Sequence, residues 1–470
     1  MKVNKTAIIC MGIFVVVTLL RLANHIPWFD EAHAWTIAEQ LNYIDMFNYV
    51  KNEGHFFLWQ TLLYPFAHSN IIPYPYPMQG LNWIFCFSAL VLMWWKAPFN
   101  NWVKALITFS FPFLGCFSIV ARCYSIGILL LFILAALYDK KIKYPKTYAL
   151  LLILCANTSV IALIGATTFG ILFLIDILKK RLSLKNSIIV ASELLFGGLL
   201  IVYQIFNIDY WNPLVGYKFE SIQPNFAIFD NTFVYSANII NIILLCLFAI
   251  PLMIYFYKNK SALFFILFSY VSLITLNMFF YEMHFWHSYF FYIYLIVAFW
   301  ICNSENDLKR ILAVVCLAVI SFWLIFHVPH KNDFEAVYKT QILDFFDKIK
   351  EDKVLTSAKI IHNCPVLYEF LPYSKNKKLN IKSYCNADGY DYRLPEILGF
   401  ECVRNDIFGQ VQKYPDIIKN ITDENTYAYA ESDKALKVNQ SAVIIADGYS
   451  IIMNKYKCFG KRCFWKVDIK

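Results

Sequence analysis

TAIICMGIFVVVTLLRLAN, residues 6–24, runs through Pro27 into Trp28-Phe29-Asp30-Glu31-Ala32-His33-Ala34-Trp35. The first stretch is apolar and long enough to cross a bilayer as one helix. The second puts two adjacent carboxylates and a histidine where such a helix would leave the hydrocarbon. Charge beside hydrocarbon is costly, so it marks a functional site or a water-filled cavity. Lys2 and Lys5 precede the run as they would in a signal peptide. No small-x-small cleavage site ends it, however; Arg21, His25 and Pro27 do, and the run reads as an uncleaved first helix.

The remaining sequence repeats the pattern. The chain has 470 residues, 59% of them apolar, with a mean hydropathy of +0.50. This is the composition of a polytopic membrane protein. Spans are expected at 6–24, 79–95, 103–118, 120–138, 147–159, 161–178, 187–206, 235–257, 262–281, 284–302 and 309–327, about eleven helices. Aromatic residues reach 18%, many of them near span ends, as interface belts require. The net charge of +9 is no signal for nucleic acid. Much of it lies in short loops at 96–104, 139–146, 179–185, 258–260 and 303–310, alternating with loops poor in Lys and Arg. The positive-inside rule then predicts a cell (inner) membrane protein with a cytoplasmic N-terminus. Segments 25–78 and 207–234 fall outside, and so does everything after residue 327.

Two regions outside the spans carry structure. In the first outer loop, Ala34, Trp35, Ala38, Leu41, Ile44, Phe47 and Val50 recur near helical spacing, which predicts an amphipathic helix on the membrane surface. A second interfacial helix is expected from His55 to about Phe66, ended by Pro65. Pro73-Tyr74-Pro75-Tyr76-Pro77 predicts an extended connector. The tail, 328–470, is charged and mixed, with short apolar runs at Val354-Leu355 and Ala442–Ala446. It reads as a small α/β or α+β domain with Gly448-Tyr449-Ser450 as a turn and no catalytic motif. The chain thus divides into a transmembrane body, 1–327, and an extracytoplasmic domain, 328–470. Cysteines 364, 385, 402, 458 and 463 lie in the tail, where an oxidising compartment permits disulfides. Cys458 and Cys463 are close enough to close a short loop.

The candidates for chemistry all fall on the outer side. Asp30 and Glu31 diverge by about 100° on a helix, so one suits a general base while the other caps the helix N-terminus. Glu53-Gly54-His55 follows in the same loop, and His55 is suited to reach a phosphate or hydroxyl. Arg122 stands where the positive-inside rule predicts few arginines, and a guanidinium suits phosphate oxygens. Tyr124 adds a hydroxyl. His284 and His287, at i, i+3 spacing beside Glu282, share one helical face and suit a phosphate, a metal or a sugar. For each, the competing reading is structural: helix caps for the acids, snorkelling for Arg122, interface packing for the histidines. Glu193 is the one acid well inside a predicted span, where it either pairs with a base or the span starts later.

These residues resemble the GT-C superfamily of membrane glycosyltransferases, which take polyprenyl-phosphate sugars and include the protein O-mannosyltransferases and the lipid A aminoarabinose transferases. The family has an Asp, often Asp-Glu-Ala, directly after its first span; here it is Asp30-Glu31-Ala32, followed by Trp35-Thr36-Ile37-Ala38. A Gly-His-Pro-Pro-Leu-like segment matches Gly54-His55-Phe56-Phe57-Leu58, with Phe-Phe in place of Pro-Pro. An Ala-Arg-x-Tyr segment matches Ala121-Arg122-Cys123-Tyr124, and an Asn-Thr-Ser segment stands at 157–159. The late Arg-His pair of many relatives is Met283-His284 here, so one phosphate contact is lost or moved to Arg122 or Lys51. The match covers residues 1–165; beyond that it is one of general architecture.

The resemblance implies inverting transfer of a sugar from a polyprenyl-phosphate donor to a hydroxyl acceptor, a lipid, a cell-envelope glycan or a protein. Asp30 would be the base. Glu31 stands beside it, and Arg122, Tyr124 and His284 would bind the donor phosphate. His55, His287 and Glu53 would bind substrate. Some members use a divalent cation, magnesium or manganese, near that aspartate, which would fall to Asp30 and Glu31; the sequence leaves this open. Two rivals remain. A transporter or flippase for lipid-linked glycans predicts inverted repeats and broken helices, and no clear repeat is present. An envelope polysaccharide polymerase or ligase predicts a large, arginine-rich late outer loop, and the late loops here are short.

Overall fold

The computed structural model describes residues 4–27, 29–50, 55–69, 71–180, 182–206, 255–279, 283, 285–302, 315, 317–322, 325, 337–362, 372–373, 377–383, 422, 424–431, 441–446, 449–459 and 462–470. The expected spans at 235–257 and 309–327 fall wholly or mostly outside these residues.

Helix α1, Lys5–Asn24, starts where the Asn4 side chain accepts the Ala7 N–H at 3.3 Å and stops at His25, whose backbone turns extended. Only Cys10, Phe14 and Thr18 are buried, one stripe at i, i+4, i+8. Ile8, Ile9, Val16, Leu19 and Leu20 stay exposed. An apolar face of this extent suits lipid rather than water. Five described helices are long and apolar enough to cross a membrane: α1, α5 (Tyr76–Lys96), α9 (Val160–Lys180), α10 (Leu184–Phe206) and α11 (Lys260–Phe279). Three further apolar helices are shorter: α7 (Tyr124–Ala136), α8 (Pro145–Ala156) and α12 (Phe285–Ile301). The eleven-span count is therefore not reproduced among the described residues.

The largest departure lies at 103–118, which does not form one span. Helix α6, Asn101–Phe109, stops at Ser110, and a π-helical turn, Pro112–Phe117, follows. Pro112 has no N–H for the ladder, which breaks the run. The Phe117 carbonyl instead accepts Asn82 Nδ2 at 2.9 Å and Ser125 Oγ at 2.6 Å. Residues 118–123 remain outside any helix, and α7 begins at Tyr124. The weakly separated pair at 147–178 does form two helices, although α8, at 12 residues, rises only about 18 Å.

Three expectations for the first outer loop are corrected. Helix α2, Phe29–Gln40, is not a surface helix: Glu31 to Ala38 are all buried. The periodic stripe continues in α3, Tyr43–Val50, which buries Met46 and Val50 and leaves Ile44 exposed. Helix α4, Leu58–Ser69, runs past Pro65 rather than ending there. The 73–77 segment is a turn, not an extended connector, because α5 already starts at Tyr76 with Pro77 in its first turn, where a missing N–H costs nothing.

Helix α10 packs on α8 through a bare patch. A Cβ on Gly197 would overlap the Ile153 side chain, so the glycine lets the two backbones close. Glu193 lies on α10 with its Oε2 buried and without a hydrogen-bond partner among the described residues. The helix starts at Leu184, so a late start does not explain it.

The tail forms a six-stranded mixed sheet with helices, as the composition suggested. The strands are β1 (Lys359–His362), β2 (Asn380–Ser383), β3 (Thr426–Glu431), β4 (Ser441–Ala446), β5 (Tyr449–Phe459) and β6 (Arg462–Ile469), in the order β2-β1-β3-β6-β5-β4. The β1 strand is parallel to both its neighbours and the other pairs are antiparallel. Helix α13, Val337–Glu351, buries Phe345 against Phe464 and Tyr429, with ring centroids 5.8 and 5.6 Å apart. The Val354-Leu355 run is helical, within α14, Lys353–Ser357. Asp352 caps α14 by accepting the Val354 and Leu355 N–H groups, and Lys457 Nζ of β5 lies 2.8 Å from its carboxylate. Burial pushes the Asp352 carboxyl up, but these bonds and that of Tyr456 outweigh it and hold the group below its ordinary value. Cys458 and Cys463 face each other across the β5–β6 hairpin as a disulfide, as their spacing suggested.

The tail touches the segment between α1 and α5. Tyr373 packs edge-on against Tyr74 at 4.9 Å, and Tyr74 against Trp35 of α2 at 5.5 Å.

Candidate functional site

Four segments far apart in sequence meet at the start of α7. The first is the N-terminal turn of α2. Asp30 and Glu31 both lie there, where the helix dipole favours negative charge, and their side chains diverge. Asp30 Oδ2 sits 2.8 Å from Arg122 Nη1, with the aspartate side chain 37% exposed and the arginine 10%. Asp30 is thus the solvent-reachable member of the pair. Glu31 is fully buried. Its Oε1 accepts the Ala121 N–H at 2.6 Å, and its Oε2 lies 2.9 Å from His25 Nε2. The glutamate takes a backbone N–H one residue before Arg122 and so fastens the arginine-bearing loop to α2.

The second segment is the loop after α3. His55 Nε2 accepts from Arg122 Nη2, and its Nδ1 faces Cys123 Sγ at 3.6 Å. A guanidinium only donates, so a neutral His55 carries its proton on Nδ1. The third segment holds His55 in place. His55 pairs as an isolated antiparallel bridge with Ser159, and the Leu58 N–H reaches the Asn157 carbonyl at 3.3 Å. Gln204 of α10 completes the seam, accepting the Phe57 N–H at 3.1 Å and donating to Asn157 Oδ1 at 3.0 Å. The Asn-Thr-Ser segment is therefore the shelf on which the histidine loop rests.

The fourth segment is α12. The Tyr124 hydroxyl lies 2.6 Å from His287 Nε2, which also accepts the Trp286 indole N–H at 3.0 Å. With the indole as donor, Nε2 is an acceptor, so Tyr124 donates its one proton to it. His287 is 2% exposed and holds Tyr124 rather than standing open to a substrate. Tyr124 keeps an oxygen edge near the site but not a spare proton.

Of the residues expected from sequence, the fold brings together Asp30, Glu31, His55, Arg122, Tyr124 and His287. Glu53 and His284 lie outside the described residues. Three contributors were missed: His25, Cys123 and Gln204. Gln204 had a signal, as a polar residue inside an apolar span; the other two had none beyond adjacency.

The arrangement does not fit a resident cation at Asp30 and Glu31. A metal at Asp30 would have to displace the Arg122 guanidinium, and Glu31 turns away to a backbone N–H. No cluster of three His, Cys, Asp or Glu suited to a metal occurs among the described residues. The site offers a reachable carboxylate next to a buried guanidinium, which suits an anion and a proton in exchange.

No protein-family model matches the chain, and no curated protein matches it either.

Proposed function

We propose that this chain is a membrane glycosyltransferase of the GT-C kind, moving a sugar from a polyprenyl-phosphate donor to a hydroxyl acceptor on the extracytoplasmic face. The observation that carries the reading is the Asp30–Arg122 pair. It joins the start of α2, just after the first apolar helix, to the start of α7. The basic loop of Lys140, Lys141 and Lys143 follows the far end of α7, about 20 Å away. Basic residues at one end and the site with its attached tail at the other agree with a cytoplasmic N-terminus and an outer tail.

The chemistry follows from the pair. In the resting site, Asp30 neutralises Arg122. A donor phosphate competes for the guanidinium, which prefers a bidentate oxyanion, and frees the carboxylate. Asp30 then takes the proton of the acceptor hydroxyl as its oxygen attacks the anomeric carbon. The bond from that carbon to the phosphate oxygen breaks on the opposite face, which inverts the centre. The departing polyprenyl phosphate carries its charge onto Arg122. His55 holds Arg122 from the other side, and Glu31 sets the distance between the two partners.

The test is sugar transfer in reconstituted membranes, with labelled polyprenyl-phosphate sugars and envelope extract as acceptor. Wild type should transfer, and Asp30→Asn should lose at least about 100-fold with an unchanged melting temperature. Persistent transfer by Asp30→Asn removes Asp30 as the base. Labelled lipid that crosses the bilayer without consumption of donor supports a lipid-glycan transporter instead.

A further inference from the structure

Helix α5 has one exposed face. Tyr76, Ile84, Val91 and Trp95 are exposed, and at about 100° per residue they fall within one sector of about 100°. The opposite sector, with Met78, Asn82, Cys86, Ala89 and Met93, is buried. Tyr76 and Trp95 stand at the two ends of the exposed face, about 28 Å apart along the axis. A hydrocarbon core is about 30 Å thick, so the two rings suit the two interfaces of a bilayer. Lys96 Nζ lies 3.9 Å from the Trp95 ring centroid, and a basic residue at that end suits the cytoplasmic side. Tyr76 then marks the outer boundary.

The turn that leads into Tyr76 extends the same apolar surface. Ile71 is 82% exposed and Ile72 48%, while Tyr74 and Pro75 turn inward. No Asp, Glu, Lys or Arg occurs between Glu53 and Lys96. The turn therefore lacks the charges that keep an outer loop in water, and its apolar side chains continue the exposed face of a helix suited to cross a membrane.

We infer that the α4–α5 turn dips into the outer leaflet, with Ile71 and Ile72 seated at the boundary between headgroups and acyl chains, and that the partner of this surface is lipid. The competing occupant is protein, a second copy of the chain or another partner. Lipid is favoured by the continuity of the patch with the exposed face of α5 and by its lack of charge. The inference rests on α5 crossing the bilayer and is independent of sugar transfer. It also gives α4 two fixed ends. The helix starts at Leu58, whose N–H is held by the Asn157 carbonyl beside the His55 loop, and it ends at Ser69, just before the anchor. The histidine loop thus lies one helix, about 18 Å long, from the bilayer contact.

Depth quenching tests this without any chemistry. A dansyl amino acid would be placed by amber suppression at Ile71, at Ile72, at Ile84 and at Lys350, an exposed position of the tail, each in the full chain in phosphatidylcholine nanodiscs. Phosphatidylcholine with a nitroxide high on its acyl chain reports the leaflet, the same lipid with the nitroxide at mid-chain reports the bilayer interior, and acrylamide reports water. The expected result at Ile71 and Ile72 is strong quenching by the shallow nitroxide and at least about threefold less quenching by acrylamide than at Lys350. Acrylamide quenching equal to that at Lys350, with no effect of nitroxide lipid, overturns the inference and leaves the turn in water. Protection from both quenchers also overturns it, because protein then covers the patch. The two adjacent positions keep the test open if one variant fails to assemble. The mid-chain nitroxide should quench the probe at Ile84. If it does not, the membrane-spanning reading of α5 falls and takes the inference with it, an outcome that the results at Ile71 and Ile72 alone do not imply.

Discussion

Replacement of Glu31 separates a positioning role from a chemical one. Its two oxygens are both spent, one on the Ala121 N–H at 2.6 Å and one beside His25 at 2.9 Å. The side chain is fully buried. Hydrogen bonds to a buried charge contribute about 1.5–3 kcal/mol, and an abandoned buried N–H costs about 1–3 kcal/mol. Glu31→Ala loses both contacts and leaves Ala121 without its acceptor, so about 3–5 kcal/mol of stability should go. Glu31→Gln keeps a carbonyl oxygen for Ala121 and should lose only about 1 kcal/mol. Function should follow the same order. The Ala121 bond fixes Arg122 against α2, and drift of about 1 Å between reacting groups costs on the order of 100-fold in rate. Glu31→Ala should therefore melt early and transfer sugar poorly, while Glu31→Gln stays within about tenfold of wild type in transfer. Tryptophan-fluorescence melting in nanodiscs, paired with the transfer assay, reads both. Wild-type melting and transfer in Glu31→Ala would refute the strut. Unchanged melting with abolished transfer in Glu31→Gln would make the carboxylate itself chemical.

Other expectations follow from the same contacts. Gln204→Leu should release the Phe57 N–H and Asn157, raise amide exchange over 55–58 and slow transfer. Unchanged exchange there would mean the seam does not depend on Gln204. The Cys458–Cys463 bridge closes a loop with a sequence separation of 5, for which loop entropy gives about 2 kcal/mol. Cys458→Ser with Cys463→Ser should raise exchange across β5 and β6 and leave the membrane helices unaffected. Asp352 has a lowered folded value, so its stabilisation is present above its unfolded value of about 3.9 and is lost as pH falls through the folded one. Amide exchange in α14 and β5 should therefore rise on acidification below about pH 4, and Asp352→Asn should flatten that rise. A wild-type profile in the variant would place the acid sensitivity elsewhere.

The sequence showed most of the site and less of the fold. Asp30, His55, Arg122 and Tyr124 were legible because charge beside an apolar span has few structural excuses, and they do meet. That Asp30 and Glu31 turn to different partners followed from their 100° offset; that Glu31 would reach the Ala121 N–H did not. The partner of Glu31 and the seam beneath His55 were not legible, because Ala121 contributes only a backbone N–H and Gln204 approaches from α10. His287 misled through its spacing from His284, since a shared helical face does not say whether that face is open. The span at 103–118 failed because hydropathy counts Pro112 and its neighbours as apolar without regard to the missing N–H. Helix α2 misled for another reason: its stripe was read as one face on lipid, whereas every residue from Glu31 to Ala38 is buried. The hairpin disulfide was legible because five residues of separation leave two cysteines little choice.

Gly197 carries a constraint that reaches well beyond its own place in α10. It lies two turns before Gln204 on the same helical face, and Ile153 stands one turn before Asn157 on α8. The glycine–isoleucine contact and the glutamine–asparagine bond are thus two rungs of one ladder, and the histidine loop hangs from the upper rung. A side chain at 197 would pry the lower rung open and lift the upper one with it. In descendants and relatives of this chain, a larger residue at 197 should be inherited together with a smaller one at 153. Drift at either position alone would be felt at His55, which lies 98 residues before Ile153 and 142 before Gly197, and the two positions should therefore evolve as one.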